Sequence, residues 1–416
     1  MKFLILFSVG LALLPCRVAN AWSGAGHQVV AAEAFHELSP QLRAQAFEVL
    51  KAHPRFAKWQ AAYHTNAPFS LAAYTFMRAS VWADEIRRSG DPYDHPNWHF
   101  ADYPLRRRML SIEPRPAPTD DVLFGIAQSE KILADTNATA EVRAVYLAYL
   151  IHLVGDLHQP LHCASYYSDT YPHGDRGGND FFVKPAQAGI RLHSLWDGLL
   201  GTAANPRTQF KYAAELESRF PRKQLSELAA HTTPEAWSLE SRELALDEGY
   251  MRGTLTEATN AESAGKLPEG YTKAAKVVAE HQAALAGYRL ADEIQKYLKY
   301  SKELPLLVEP TNVAPSQTPI LKIGALEAPK FYDETMTVTG RIAQVTSRPS
   351  ATFIELDKPG RASPFTAVIF QESLSQFGDL EQLNGKEVEL TGTVTEYHDK
   401  PEIILETADQ LKAVNK

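Results

Sequence analysis

The stretch that most constrains this chain is Tyr149–Cys163, YLIHLVGDLHQPLHC, which sets His152, Asp156, His158 and His162 into an otherwise apolar run. His152 and Asp156 are four residues apart, so on a helix they project from one face and can grip one cation together. Pro160 cannot continue that helix, which makes residues 159–161 a corner and lets His162 turn back toward the same point. A second H-x-x-x-D pair, His193 and Asp197, follows in RLHSLWDG at the same one-turn spacing. A lone histidine on a helix is ordinarily a hydrogen-bonded core or surface residue. Two His/Asp pairs together with His162 point instead to a metal site of imidazole and carboxylate, the donor set that suits zinc.

Periodicity gives the fold class. From Trp22 to about Ser301, helical spacing of apolar residues runs through His27–Leu38, Leu71–Arg88, Ala140–Leu157, Glu235–Gly249 and Tyr271–Leu298, while strand-like alternation is scarce. Residues 22–303 therefore read as an all-helical domain. Between the two ligand pairs, residues 166–180 (YYSDTYPHGDRGGND) are polar and glycine-rich, and read either as a connector or as an active-site loop. Prolines at 305, 310, 315 and 319 make residues 304–325 an extended linker. Beyond it, over residues 326–416, come short alternating runs: Thr335–Ala343, Thr352–Leu356, Phe365–Phe370, Val388–Glu396 and Glu402–Leu405. A short helix is expected at Ser375–Leu383, and five strands with one helix after the third is the order of an OB-fold barrel. The chain as a whole is expected to be mainly α, with a small all-β OB-like barrel at its end. That barrel holds 15 acidic against 9 basic residues, so it lacks the basic groove that single-strand binding usually needs. Packing or protein contact is its other reading.

At the N-terminus, Lys2, the apolar run Phe3–Leu14 and Ala19-Asn20-Ala21 read as a cleaved secretory signal over residues 1–21, since the run is too short to span a bilayer. A lipoprotein signal ending at Cys16 fits less well because Pro15 stands before it. The expected product begins at Trp22 and is exported, periplasmic or secreted, with no membrane anchor. Losing Lys2 and Arg17 takes the formal charge from −8 to −10, which excludes a general attraction for nucleic acid or anionic lipid. Phosphate chemistry would then rest on local metal charge. Cys163 would be the one cysteine left, so no intrachain disulfide is expected; beside His162 it reads as a ligand or as a buried unreactive thiol.

Two further segments add to the donors. Asp84 and Arg87, one turn apart in VWADEIRRSG, are expected to point the same way, and NWHFADYP supplies His99, Phe100 and Asp102. Alone, the first is an amphipathic helix with a surface ion pair, and the second offers a buried aromatic and a helix cap. Trp22 with His27, WADEIR at 82–87, HFAD at 99–102, HLVGDLHQPLH at 152–162, DRGGN at 175–179, HSLWD at 193–197 and GYRLAD at 287–292 occur in that order. Together they resemble the single-strand-specific zinc nucleases of fungi, plants and bacteria, the S-one/P-one nuclease family, from Trp22 to about Ala291. The barrel is not covered.

The resemblance implies the helical fold shared by phospholipase C and the single-strand nucleases, and three zinc ions. Asp84, His99, His152 and Asp156 would hold the first; His162, His193 and Asp197 the second; the free amine and carbonyl of Trp22 with His27 the third, bridged by Asp156. Asp84, Asp156 and Arg87 would carry catalysis, with Arg87 on the phosphate oxygens, while Phe100 would stack on a nucleobase and Asp102 would accept its hydrogen bonds. His158 lies in the motif but is not a family ligand, and reads as supporting structure. The implied substrates are single-stranded DNA and RNA, cut to 5'-phosphorylated products, and 3'-nucleotides; no stable protein partner is implied. Gly198 stands where some members carry a base-contacting polar side chain, so base preference does not carry over. The rival enzyme is a zinc-dependent phospholipase C acting on phospholipid head groups, against which Phe100, Asp102 and the trailing barrel argue. A non-enzymatic protein with structural zinc is opposed by the number of ligands, since a structural site is one closed tetrahedron.

Overall fold

In the computed structural model the described residues are 22–65, 67–106, 120–298, 320–332, 335–348, 351–371, 373–397, 400–405 and 407–414. The signal segment and residues 304–319 of the linker lie outside them. Helix Ala140–Leu157 forms over the span its sequence pattern predicts. Thr139 caps it, accepting from Val142 N–H at 3.3 Å, and a run of good helix formers carries it until the chain meets Gln159-Pro160. Nearly every residue from Ala144 to Leu157 is buried, as expected of a helix that is apolar all round. Helices Gly24–Glu37, Leu71–Ile86, Val122–Ala134 and Tyr271–Tyr297 pack against it. At the crossing with Gly24–Glu37, a Cβ on Gly155 would stand 3.0 Å from His27 Nδ1, so a glycine there is what lets the imidazole approach.

The helical expectation holds for most of this unit, with two differences. Pro234–Leu244 does not run on as an α-helix to Gly249 but opens into a π-turn, Ala245–Gly249. Short strand ladders also occur: Pro104–Leu105 pairs in parallel with Ser165–Tyr166, and Phe182–Lys184 pairs with Ile190–Arg191 and with Gly265–Lys266. The first ladder has a consequence for the site. Together with Ala101 N–H donating to His162 O (2.7 Å), it zips the His99 segment to the turn that carries His162.

The chain divides into two compact units after residue 311. In the second, Thr335–Ser347, Ala351–Leu356 and Phe365–Phe370 form an antiparallel run; Phe365–Phe370 then pairs in parallel with Lys400–Ile404, and Glu387–Tyr397 pairs with both Lys400–Ile404 and Thr335–Arg341. The result is a closed five-stranded barrel, which leaves these strands no open edge, filled by Val338, Ile354, Phe365, Ile369, Leu390 and Ile403. The short helix expected at Ser375–Leu383 is instead two 3-10 turns, Leu374–Gln376 and Leu380–Leu383. Gly378 weakens a helix here, and the Asp379 carboxylate accepts from Glu381 N–H (3.1 Å), starting a new turn. Lys322–Gly324, read from sequence as linker, pairs in parallel with Thr337–Thr339.

Two core histidines make stability pH-dependent. His158 Nδ1–H donates to Val154 O (2.7 Å) while Nε2 accepts from Arg289 Nη1 (2.7 Å); burial, then Arg289, pushes its pKa down to about 3. His53 stacks on Trp59, and burial, then Arg55, lowers it to about 3 as well. Both stay neutral in the folded chain while the unfolded chain protonates them near pH 6.5, so stability should fall as pH drops from about 6.5 toward 3. Urea titrations between pH 7 and 4.5 should show a loss on the order of 1–3 kcal/mol per histidine. His158→Gln, itself less stable at pH 7, should show a shallower slope.

Candidate metal centre

Five helical elements and one connecting segment deliver the donors. His27 comes from helix Gly24–Glu37, Asp84 from the end of Leu71–Ile86, His99 from the segment zipped to the His162 turn, and His152 and Asp156 from the central helix. The 3-10 turn Pro160–Cys163 supplies His162, and helix Leu192–Asp197 supplies His193 and Asp197. Asp156 is fully buried at the centre. Its Oδ2 lies 3.0 Å from both His99 Nδ1 and His152 Nε2, and its Oδ1 lies 3.3 Å from His27 Nε2. Asp84 stands behind, 3.7 Å from His99 and 3.9 Å from His27 and His152. Among the described residues three sets emerge whose donor atoms lie within 4.8 Å of one another: His27, His152 and Asp156; Asp84, His99 and His152; His162, His193 and Asp197.

The donors fit a cation better than they fit one another. His152 Nε2 and His99 Nδ1 are 2.9 Å apart and share Asp156 Oδ2, close to the edge of a coordination shell with bonds of about 2.0–2.1 Å. Asp84 Oδ1 and His162 Nε2 are buried with no hydrogen-bond partner among the described residues, a costly arrangement without a cation. Backbone carbonyls set the tautomers. His152 Nδ1–H donates to Ser80 O (2.7 Å), His193 Nδ1–H to Gly177 O (2.6 Å) and His162 Nδ1–H to His99 O, which turns each Nε2 toward the site. Gln159 Nε2 donates to Asp197 Oδ1 (2.8 Å) and aims that carboxylate.

The electrostatics agree. Burial raises Asp197 well above the ordinary carboxylate range, and Asp84 and Asp156 add to the rise. Burial opposes ionisation of Asp156 too, but His152, His27 and His99 hold it well below that range. Burial likewise opposes the charge on His152, yet Asp156 and Asp84 push it up to about 9. His162 and His193 are driven down by burial to about 3 and about 4, so their lone pairs are free at neutral pH. Three carboxylates in one buried pocket call for positive charge.

The remaining residues singled out from sequence lie around this centre. Arg87 does not share a helix face with Asp84: the helix ends at Ile86, Arg87 is its extended cap, and Arg88 turns the chain at φ 61. Its guanidinium sits 5.9 Å from the Phe100 ring, Nη2–H reaches Pro96 O at 3.5 Å, and its charge is felt at His193 and Asp197. Phe100 is half-exposed rather than buried, and Asp102 is exposed; the described helix that follows is capped by Asp121 instead. Trp22 is buried in the core, and the next residue, Ser23, donates its N–H to Asp197 O (3.0 Å). Cys163 is buried and outside all three sets, its thiol donating to Leu157 O (3.4 Å). His158 is held by Arg289 and supports the end of the central helix. Sequence reasoning missed Gln159, Ser80 and Gly177 as supports; Gln159 and Gly177 stand inside the motifs, whereas Ser80 contributes only a carbonyl that any residue would carry.

A helical scaffold that gathers three such donor sets beside an arginine and a half-exposed aromatic has the makings of a metal-dependent enzyme. Residues 22–299 match the family described as S1/P1 Nuclease, and the chain belongs to that metal-dependent family. It is 26% identical to Endonuclease 3 of Arabidopsis thaliana over 247 residues, 54% of this chain and 76% of the plant protein. It is 27% identical over 179 residues to Nuclease P1 of Penicillium citrinum and to Nuclease PA3 of a Penicillium species, 42% of this chain and 57% of each fungal protein.

Because Asp156 lies 3.0–3.3 Å from His27, His99 and His152 while His193 meets one carboxylate, Asp197, at 3.6 Å, Asp156→Asn should strip more metal from the protein than His193→Ala. Metal analysis after dialysis reads this directly. The reverse order would remove Asp156 from the centre of the site.

Proposed function

We propose that this chain is an exported zinc-dependent endonuclease that cuts single-stranded DNA and RNA to 5'-phosphorylated products and also hydrolyses 3'-nucleotides. The observation that carries the reading is the three His/Asp donor sets, two of which share His152 beside Asp156, in a chain of the S1/P1 nuclease family. Three zinc ions would be held as the ligand positions suggest: by Asp84, His99, His152 and Asp156; by His162, His193 and Asp197; and by His27 with the freed amine and carbonyl of Trp22. When bound, the ions supply Lewis acidity, lowering the pKa of water and neutralising phosphate charge. The chain does the rest. Arg87 holds a non-bridging phosphate oxygen, Phe100 offers a face for an unpaired base, and Asp102 accepts from that base. A base inside a duplex has no free face, which favours single strands.

Export rests on residues 1–21 and on the need for Trp22 to be terminal; no described helix is long and apolar enough to cross a membrane. The closed barrel, with its parallel pairing of Phe365–Phe370 and Lys400–Ile404, is read as OB-like and as a guide for long strands. Phospholipase C activity is the weaker reading, because the family match and the Arg87–Phe100 pair favour a nucleotide.

With zinc, the protein should degrade single-stranded DNA and leave phosphatidylcholine intact; the opposite result would select the phospholipase. A chain ending at Leu298 should keep hydrolysing 3'-nucleotides, because every proposed ligand precedes that point; loss of that activity in a folded truncated chain would give the barrel a part in the active site. A form with Met-Gly added before Trp22 should bind about one zinc fewer and turn over slowly, since an amide nitrogen is a poor ligand. Equal zinc content in the two forms would remove the amine from the ligand set.

A further inference from the structure

Helix Leu192–Asp197 carries two metal-ligating side chains, His193 and Asp197, yet has six residues. A helix so short does not hold its own geometry in water, so its aim comes from elsewhere. Two buried hydrogen-bond threads reach it, and both start at the π-turn Ala245–Gly249, closed by Tyr250 N–H donating to Ala245 O (2.8 Å). In the first thread Tyr250 Oη–H donates to Asp175 Oδ2 (2.7 Å). Asp175 Oδ1 accepts from Tyr166 N–H (2.8 Å) and Asp175 O from Asp180 N–H (3.0 Å), so this residue organises the turn that contains Gly177 and Gly178. Those glycines take φ 63 and 80, and a Cβ on Gly177 would stand 2.4 Å from Leu161 O. The turn presents Gly177 O to His193 Nδ1–H at 2.6 Å and Gly178 O to His193 N–H at 3.2 Å. In the second thread Trp196 Nε1–H donates to Tyr271 Oη (2.9 Å), which donates to Gly249 O (2.6 Å). Trp196 directly precedes Asp197.

Asp175, Tyr250 and Trp196 are fully buried and Tyr271 is 6% exposed, so solvent cannot stand in for a lost hydroxyl without rearrangement. The π-turn inserts one residue into the helical register, and that offset is what sets Gly249 O and the Tyr250 side chain at the start of the two threads. We propose that Tyr250 and Tyr271 are positioning residues: Tyr250, through Asp175 and Gly177, fixes the tautomer and aim of His193, and Tyr271, through Trp196, fixes Asp197. They thereby set the affinity of that pair for a divalent cation. The affinity rests on the metal-dependent reading above; the tautomer does not.

The test removes one oxygen at a time, with Tyr250→Phe and Tyr271→Phe, and takes as control Tyr212→Phe, whose hydroxyl donates to Glu280 Oε1 (2.6 Å) away from these threads. In chelator-treated, metal-free protein, nitrogen NMR of His193 should show one tautomer, protonated at Nδ1, in the wild type and in the control. Tyr250→Phe should show a mixture of both. A single Nδ1–H tautomer in Tyr250→Phe would overturn the first thread whether or not the protein binds metal. Zn2+ titration against a competing chelator should then show one site weakened about 10–100-fold in Tyr250→Phe and in Tyr271→Phe, and the control should bind like the wild type. Wild-type affinity in both variants would overturn the proposal, whereas failure of the wild type to bind zinc would overturn the metal-dependent reading instead. Should Tyr250→Phe not fold, Asp175→Ala serves, because it removes at once the acceptors of Tyr250 Oη–H and Tyr166 N–H; a single Nδ1–H tautomer of His193 there would overturn the first thread in the same way.

Discussion

The buried carboxylate of Asp156, 3.0–3.3 Å from three imidazoles on three different segments, is the interaction on which the rest of the helical unit depends. An ionised carboxylate at the centre of a helix packed on all sides needs positive charge close by. Histidines supply part of it, and they must then converge from helix Gly24–Glu37, from the His99 segment and from the central helix itself. Gly155 makes the first approach possible, and the Pro104–Leu105 ladder brings the second. Asp84 and Asp197 add two more carboxylates, which moves the pocket from balanced to cation-seeking. A cation bound there would favour the folded unit, because the unfolded chain holds no such pocket.

Much of the surrounding structure exists to aim nitrogen lone pairs. A neutral imidazole offers a ligand atom on one side only if its other nitrogen is held protonated. Ser80, His99 and Gly177 do this through backbone oxygens, which makes the scaffold's path, more than its side-chain chemistry, the determinant of the site. His158 shows the contrasting use of the same residue: neutral, tied between Val154 O and Arg289, it closes the end of the central helix two residues from Asp156 and faces no ligand.

The barrel follows a different logic. Its core is a continuous set of apolar residues from alternating positions, and its closure satisfies strand edges that an open sheet of this size would expose. None of the three donor sets found among the described residues lies in it. Its acidic balance, 15 acidic against 9 basic residues from 326 onward, excludes general electrostatic attraction for a nucleic-acid strand.

The amino-acid sequence by itself determined the two His/Asp pairs, the span of the central helix, the turn that returns His162 and the alternation of the barrel strands. Each of these depends on spacing within a few residues, where helix and strand periods act locally. Arg87 escaped that logic because the residues after Ile86 turn the chain before another helical step is completed, so its contact with Phe100 comes from a cap and not from a shared face. The 3-10 turns at Leu374–Leu383 and the π-turn at Ala245–Gly249 escaped it as well, since apolar spacing does not distinguish these windings from an α-helix over so few residues. Only the tertiary structure decided which carbonyls fix the histidines and how Tyr250, 75 positions from Asp175, comes to hold the loop that aims His193. Backbone acceptors carry no residue identity, and contacts across such separations are made by packing, which no local pattern encodes.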